Sequence, residues 1–262
     1  MNKRPIGVFD SGVGGLSVLK ELVKLMPKER YVFVADQINV PYGEKTKKEL
    51  EKEALKICSF LVAKKSKIIV VACNTATCNV IDFLRANVKV PLVGTVPAIK
   101  PAIAISKSGV IGILSTPSTS KSKGLKKLIK TYADNTKVVN IGCSNLENAT
   151  ETGELNSSEV TRLLIKYTRP IKKSGADVVV LGCTHYPFLK PQIKKILNNK
   201  GVKLIDSGKA IAQHTKKILQ QTGSLGNHDG KKDFYTTGNS AHFSRVASSL
   251  LKRRVRAKHL PL

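Results

Sequence analysis

Two cysteines lie where thiol chemistry is expected. Cys73 ends the apolar run 68–72 and precedes asparagine and threonine, while Cys183 ends the run 178–182 and precedes threonine and histidine. A short β-branched apolar run followed by hydroxyl and amide side chains is typical of a parallel strand that passes into a helix N-cap. Helix N-termini stabilise thiolates, and α/β proteins bind ligands at the carboxyl ends of strands. The two cysteines are therefore expected to form one site with two faces.

The pairing of these thiols suggests proton transfer. Two opposed cysteines can remove a proton from one face of a carbon and deliver one to the other, with Asp10 and His185 tuning their protonation. A cysteine hydrolase would need separate His and Asn partners, whereas His185 lies almost beside Cys183. A zinc site is disfavoured because the Cys73-x4-Cys78 spacing is not that of a zinc finger and no second histidine cluster follows. We therefore expect no metal.

The other three cysteines have less distinctive positions. Cys58 lies inside a helical pattern, and both Cys58 and Cys78 are expected to pack in the core. Cys143, which ends the mostly apolar run 138–142, is intermediate between packing and chemistry. The chain has five cysteines, an odd number without the spacing of a small disulfide scaffold, so all are expected as thiols in the reducing cytoplasm.

A glycine-rich turn over residues 10–17 follows the first strand pattern. Backbone N–H groups of such a turn bind an anion, either phosphate or carboxylate. Together with Asp36 the turn half-satisfies a dinucleotide-binding fingerprint, but Ser17 occupies the third glycine position and Asp10 would repel a pyrophosphate. We predict a carboxylate-binding turn with Asp10 kept for proton chemistry; a plain helix-capping turn is the alternative.

Length and composition indicate a globular protein. The chain has 262 residues, 41% hydrophobic and 24% charged, which is enough for one large domain or two smaller ones. The N-terminus lacks the apolar region of a signal peptide, and no apolar run reaches membrane-spanning length. A cytoplasmic location without a membrane partner is therefore expected.

The net charge of +27 raises the hypothesis of a nucleic-acid partner. However, the lysines are dispersed, aromatic residues make up only 5% of the chain and tryptophan is absent, so few side chains could stack on bases. The basic clusters 121–130 and 252–258 are interpreted as a solvated helix face or tail, with a phosphate-binding patch as the alternative.

Strand patterns alternate with helical patterns, which predicts parallel sheets covered by helices. Two sets of four strands share a rhythm in which the cysteine strand comes third, as in an internal duplication. Pro97 and Pro101 mark the crossing between the halves. The predicted strands fall at 6–10, 31–36, 67–73, 91–95, 109–115, 137–142, 176–182 and 203–206.

The predicted fold is therefore α/β, with two pseudosymmetric domains, each a mostly parallel sheet covered by helices, and an active site in the cleft between them. After Asp206 come a helical pattern, a loop at 222–230, a strand pattern at 233–237 and a last amphipathic helix, and this stretch is expected to return to the first domain. We assign 1–97 plus 208–262 to the first domain, which carries Asp10 and Cys73, and 98–207 to the second, which carries Cys183 and His185.

Four segments together resemble the bacterial glutamate racemases, members of the cofactor-independent aspartate/glutamate racemase superfamily. They are 10–18, 41–43, 73–77 and 182–187, and the resemblance covers essentially the whole chain, including 234–238. It implies that the enzyme needs no cofactor and supplies D-glutamate for peptidoglycan.

The same resemblance implies roles for individual residues. Cys73 would be the base for D-glutamate and Cys183 the base for L-glutamate, each reprotonating the opposite face. Asp10 and His185 would assist them and contact substrate, and Glu151 aligns with the family's acidic residue near the histidine. Further substrate contacts would come from Ser11, Tyr42, Gly43, Asn74, Thr75, Thr116, Thr119 and Thr184.

Two segments depart from the family's usual pattern. Residues 115–119 read Ser-Thr-Pro-Ser-Thr instead of Gly-Thr-x-x-Thr. Residues 143–151 read Cys-Ser-Asn-Leu-Glu-Asn-Ala-Thr-Glu instead of Cys-Pro-Leu-Phe-Val-Pro-Leu-Val-Glu. Proline and aromatic contacts that line the cleft are therefore expected to be lost.

The sequence predicts a glutamate racemase that works by two-base proton transfer. Three alternatives stay open: a racemase of the same superfamily that acts on aspartate or another acid, a nicotinamide-dependent oxidoreductase, and a basic nucleic-acid-binding protein. Glutamate is the expected small-molecule partner. A homodimer is compatible with this interpretation, and the charge leaves nucleic acid or DNA gyrase as a secondary partner.

Overall fold

Two parallel sheets form the centre of the molecule. The computed structural model describes residues 3–198 and 201–262. One sheet has the strand order β10-β9-β2-β1-β3-β4 and the other β6-β5-β7-β8, and neighbouring strands pair in parallel. The strands are β1 (Ile6–Asp10), β2 (Tyr31–Ala35), β3 (Ile68–Val71), β4 (Leu92–Gly94), β5 (Val110–Ser115), β6 (Lys137–Gly142), β7 (Val178–Leu181), β8 (Lys203–Ile205), β9 (Lys232–Thr236) and β10 (Ala257–His259).

Helices connect the strands and cover the sheets. Several begin at polar residues that accept a backbone hydrogen bond: Thr46 forms a capping box with Glu49, and Ser122 and Ser157 cap two later helices. The helices are α1 (Leu16–Leu25), α2 (Lys47–Ala63), α3 (Asn74–Asn87), α4 (Ile99–Ile105), α5 (Pro117–Lys121), α6 (Lys123–Tyr132), α7 (Asn148–Thr152), α8 (Ser158–Lys173), α9 (Lys190–Leu197), α10 (Gly208–Gln221) and α11 (Ser240–Leu251).

Each sheet has a hydrophobic core on both faces. Ile68 and Val70 of β3 belong to one cluster with α1 and α10, whereas Ile69 and Val71 belong to another with α2 and α3. The strand β7 alternates in the same way between two further clusters. Successive strand side chains point to opposite faces, so a central strand covered on both sides must be apolar throughout. This explains the continuous Val/Ile runs before both cysteines.

The topology brings four strand ends together. β1 lies beside β3 at the centre of the first sheet, and β5 lies beside β7 at the centre of the second. The carboxyl ends of β1 and β3 carry Asp10 and Cys73, and those of β5 and β7 lead to Thr116 and Cys183. The fold therefore positions chemistry-bearing residues at the centre of each sheet, where ligands of open α/β sheets bind.

The structure confirms the predicted fold class, and the predicted strands agree with the observed ones to within two residues at each end. The chain after residue 208 returns to the first sheet, where α10 packs on α1 and β9 pairs with β2. The strands of each sheet fall inside the two predicted domain ranges, while the domain boundaries themselves stay a prediction. In the described part of the chain, no helix is long and apolar enough to cross a membrane.

One basic cluster differs from its prediction. Residues 121–130 form a helical segment with exposed lysines, as expected, but 252–258 is neither a helix face nor a free tail. The helix α11 ends at Leu251, Val255 is buried, and β10 pairs with β9. The hydroxyls of Ser244 and Ser248 accept hydrogen bonds from the backbone of this segment. A strand of three residues fixed by such contacts leaves no periodic sequence pattern, so it was missed.

Candidate active site

Both predicted cysteines line one cavity at the carboxyl ends of the two sheets. Cys73 is 4% exposed and Cys183 is 6% exposed, so both sulfurs are almost shielded from bulk water. Side chains of both sheets contribute to the wall. The residues around the cavity are Ser11, Val40, Pro41, Tyr42, Gly43, Cys73, Asn74, Thr75, Thr116, Glu147, Cys183, Thr184 and His185.

The two cysteines reach the cavity through different local structures. Cys73 is the N-cap residue of α3, as predicted. Cys183 does not precede a helix directly, because a 3-10 turn over Tyr186–Leu189 intervenes before α9 begins at Lys190. The α-helix expected directly after Cys183 is therefore preceded by a 3-10 turn, and the His185 side chain lies beside the Cys183 sulfur.

Cys183 is the end of a buried hydrogen-bonded chain. The His185 Nδ1 atom lies 3.5 Å from the Cys183 sulfur, and the His185 Nε2 atom lies 2.6 Å from Glu151 Oε1. The second Glu151 oxygen accepts a hydrogen bond of 2.7 Å from the Gln37 amide. Each member of this chain is thus fixed by the next one.

The charges in this chain support one another. Burial acts to lower the pKa of His185, but Cys183 and Glu151 outweigh burial and raise the pKa well above its usual value. Burial acts to raise the pKa of Glu151, but the hydrogen bonds from His185 and Gln37 outweigh it and lower the pKa. His185 is therefore an imidazolium paired with a carboxylate, and it presents positive charge to the Cys183 sulfur.

Cys73 has a different environment, dominated by burial and by Asp10. Burial raises the pKa of Asp10, although His185 and Cys73 act in the opposite direction. Burial raises the pKa of Cys73 well above its usual value, and Asp10 adds to this shift. Thr184 donates a hydrogen bond of 3.0 Å to Asp10 across the two sheets. Burial and Asp10 thus favour the protonated thiol of Cys73, whereas Cys183 faces the His185 imidazolium.

The glycine-rich turn binds a carboxylate that belongs to the protein itself. The backbone N–H of Val13 donates a hydrogen bond of 2.7 Å to Glu151 Oε1. A Cβ atom on Gly12 would lie 1.8 Å from the same oxygen, and one on Gly14 would lie 2.5 Å from His185 Nδ1. The turn needs glycine because Glu151 and His185 pack directly on its backbone.

Three threonines form a hydrogen-bonded cluster beside the cavity. The Thr75 hydroxyl lies 3.0 Å from that of Thr116 and 3.2 Å from that of Thr119. Thr75 and Thr116 line the cavity, while Thr119 is fully buried behind them and fixes their orientation. Asn74 is held by a hydrogen bond of 2.8 Å from its amide to the Thr95 carbonyl.

Asp36 fixes the loop that carries Tyr42 and Gly43. It accepts a hydrogen bond of 2.7 Å from the Tyr42 hydroxyl and one of 2.9 Å from Thr237. Asp36 therefore has a local structural role and is not free to bind a ribose, as the dinucleotide-binding alternative would require. Tyr42 and Gly43 both border the cavity, the former with its hydroxyl already engaged.

Sequence reasoning missed four residues of this site. Val40, Pro41 and Glu147 line the cavity, and Gln37 supports Glu151. Pro41 belongs to a motif that was recognised. Glu147 could have been found because it precedes Glu151 by four residues, a spacing that places two side chains on one face of a helical turn.

The other three cysteines are not among the residues that line the cavity. Cys58 is buried in the core as predicted, and burial raises its pKa to about 12. Cys143 is also fully buried in a core cluster, whereas Cys78 is only partly buried, contrary to the prediction. Within residues 3–198 and 201–262, no group of three or more His, Cys, Asp or Glu side chains is arranged to hold a metal ion.

Comparisons with known proteins agree with this geometry. A family model described as Asp/Glu/Hydantoin racemase matches residues 6–215. The glutamate racemase of Herpetosiphon aurantiacus is 40% identical over 252 residues, which cover 95% of this chain and 99% of that protein. The crystal structure of a glutamate racemase isoform from Bacillus anthracis is 31% identical, with a TM-score of 0.89 and coverage of 100% of this chain and 99% of the other. A glutamate racemase from Francisella tularensis in complex with D-glutamate is 27% identical, with a TM-score of 0.88 and coverage of 99% and 98%.

Proposed function

The chain belongs to the Asp/Glu/hydantoin racemase family, and from this premise we propose that it is a cofactor-independent glutamate racemase that interconverts L- and D-glutamate. The observation that carries this proposal is the approach of Cys73 and Cys183 to one cavity from two different sheets. A racemase must act on both faces of one carbon, and two opposed thiols satisfy that requirement.

The reaction begins with Cys183 as the base for L-glutamate. The thiolate, stabilised by the His185 imidazolium at 3.5 Å, takes the α-proton and forms an S–H bond while the C–H bond breaks. The electron pair passes to the α-carbon and its carboxylate. Cys73, a thiol because of its burial beside Asp10, then gives its proton to the opposite face. When D-glutamate departs, Cys73 is a thiolate and Cys183 is a thiol. This is the state of the enzyme that accepts D-glutamate.

Neutral donors are proposed to hold the two substrate carboxylates. Among the described residues that line the cavity there is no lysine or arginine, but there are hydroxyls and an amide. We assign this role to Ser11, Asn74, Thr75, Thr116 and Thr184, with the backbone of Tyr42 and Gly43. Asp10 and His185 also face the substrate, and Glu151 and Thr119 act behind them through the hydrogen bonds described above.

The biological setting is proposed from the family. The enzyme supplies D-glutamate for peptidoglycan in the cytoplasm, where its thiols stay reduced. A homodimer is the proposed assembly. The units 1–97 plus 208–262 and 98–207 are the proposed domains, with the substrate between them.

Circular dichroism of the substrate tests the proposal directly. Purified protein is incubated with L-glutamate and, separately, with L-aspartate, and the ellipticity of the amino acid is followed. We expect the glutamate signal to decay to zero as the racemic mixture forms, and the aspartate signal to persist. Decay of the aspartate signal alone would make aspartate the substrate. If neither signal decayed, the proposed glutamate racemase activity would be refuted.

A further inference from the structure

An acidic residue with an unused hydrogen-bonding atom lies in the wall of the cavity. Glu147 immediately precedes α7, is 6% exposed, and lines the cavity together with Cys183 and Thr184. Its Oε2 atom is shielded from solvent and has no hydrogen-bond partner among the residues that the structure describes. A buried carboxyl oxygen is normally hydrogen-bonded, because leaving it without a partner costs free energy. Because Glu147 lines the cavity, a bound ligand can supply the missing partner.

The groups around Glu147 decide which form of the carboxyl makes this bond. It is faced by Glu44, Glu151, the His185 imidazolium, Cys143 and Tyr186. Burial raises the pKa of Glu147, and the two other acids add to this shift, against smaller opposing effects of its own backbone N–H and of His185. The charge of His185 is already matched by Glu151 at 2.6 Å. Burial and the two neighbouring acids therefore favour the neutral carboxyl form of Glu147, which offers an O–H donor.

The proposed substrate supplies the complementary acceptor. Glutamate carries two carboxylates, and within residues 3–198 and 201–262 no lysine or arginine lines the cavity to meet them. An ionised acid at this position would repel both carboxylates, whereas a protonated one forms a charge-assisted hydrogen bond with either. We propose that Glu147 is a substrate-binding residue whose protonated carboxyl group donates a hydrogen bond to a carboxylate of glutamate. This role rests on the proposed racemase function, to which it adds a determinant of substrate affinity.

The test compares Glu147→Gln with Glu147→Val. Glutamine keeps a donor of similar shape, while valine removes the donor and fills similar space. We expect Glu147→Val to raise KM for both enantiomers about ten- to a hundredfold, the cost of one hydrogen bond to a charged group, with a smaller change in kcat. Glu147→Gln should stay within about threefold of the wild type at neutral pH. Glu154→Gln, an exposed acid of the same segment, is the matched control and should leave both parameters unchanged.

The pH dependence of KM distinguishes a protonated Glu147 that binds a carboxylate from an ionised Glu147 that binds the ammonium group of the substrate. In the wild type, KM should rise with pH as Glu147 loses its proton, and this rise should vanish in Glu147→Gln. Any pH dependence of KM that remains in Glu147→Gln comes from other groups, including the substrate. If KM of the wild type instead falls with pH and Glu147→Gln raises KM, then Glu147 binds the ammonium group and the proposal is wrong. An unchanged KM in a folded Glu147→Val, verified by circular dichroism of the backbone, would also overturn it. The wild type is assayed for glutamate racemisation before any variant. If it shows none, the proposed function itself is refuted.

Discussion

Replacement of Gly12 by alanine should disable the Cys183 half of the site while adding only one methyl group. The backbone at Gly12 has φ −158°, which any residue adopts, so the substitution acts through contact alone. The new Cβ atom would lie 1.8 Å from Glu151 Oε1 and 2.5 Å from its carboxyl carbon. Glu151 must move, and its bonds of 2.7 Å from Val13 and 2.6 Å from His185 cannot both survive.

The magnitude follows from the bond to His185. A hydrogen bond to a charged group contributes about 1.5–3 kcal/mol. If the transition state for proton removal by Cys183 relies on it, kcat should fall about ten- to two-hundredfold. When Glu151 is displaced, the pKa of His185 should also fall, because one of the two groups that raise it is lost.

Two assays and one control check this reasoning. Racemisation followed by circular dichroism gives kcat, and NMR of the imidazole protons reports the titration of His185. Gly112→Ala is the control, because its Cβ would lie 2.6 Å from Ile171 in the core, so it should lower the melting temperature without shifting the His185 titration. If Gly12→Ala retained kcat within twofold and an unchanged His185 titration, the pairing with Glu151 would have no catalytic importance.

Three further predictions concern the thiols and the charge. Cys73→Ser and Cys183→Ser should each lower the rate of racemisation by more than about a thousandfold with the fold intact, because a serine hydroxyl is far less acidic than a thiol. On a glutamate analogue with a β-leaving group, Cys73→Ser should keep elimination from the L-isomer and Cys183→Ser should keep elimination from the D-isomer. Equal loss of elimination from both isomers in both variants would contradict one base per face. In D2O, the product enantiomer should carry solvent deuterium from the first turnover while recovered substrate stays protonated, measured by mass spectrometry after chiral separation; return of the original hydrogen to the product would indicate a single base. DNA binding measured by fluorescence anisotropy should be weak and lost by about 0.2 M salt, since dispersed lysines neutralise phosphates without reading bases. Tight DNA binding at that salt would contradict this expectation. The rate of racemisation should be unchanged when four exposed basic residues are replaced by neutral ones. The four residues are Lys252, Arg253, Arg254 and Arg256.

Much of the fold and part of the site could be predicted because they depend on local patterns. The Val/Ile runs before Cys73 and Cys183 have a length and composition that only a strand buried on both faces explains, and the polar residues after Cys73 cap a helix. Parallel strands align their carboxyl ends, so placing both cysteines near a ligand site needed no long-range information. The local signal failed after Cys183, where Pro187 lies in a 3-10 turn that delays the next helix.

The sequence by itself determined the two parallel sheets, the cysteine pair and the family resemblance, because periodicity and motifs are properties of neighbouring residues. Only the tertiary structure decided what each polar side chain binds. Val13 and Glu151 are 138 positions apart, and their hydrogen bond exists because the two halves pack strand end to strand end. The same packing places the Tyr42 and Thr237 hydroxyls on Asp36. It also leaves a buried Glu147 oxygen without a hydrogen-bond partner among the described residues. Such pairings depend on distances of a few ångströms between distant segments, and no periodic pattern in the chain records them.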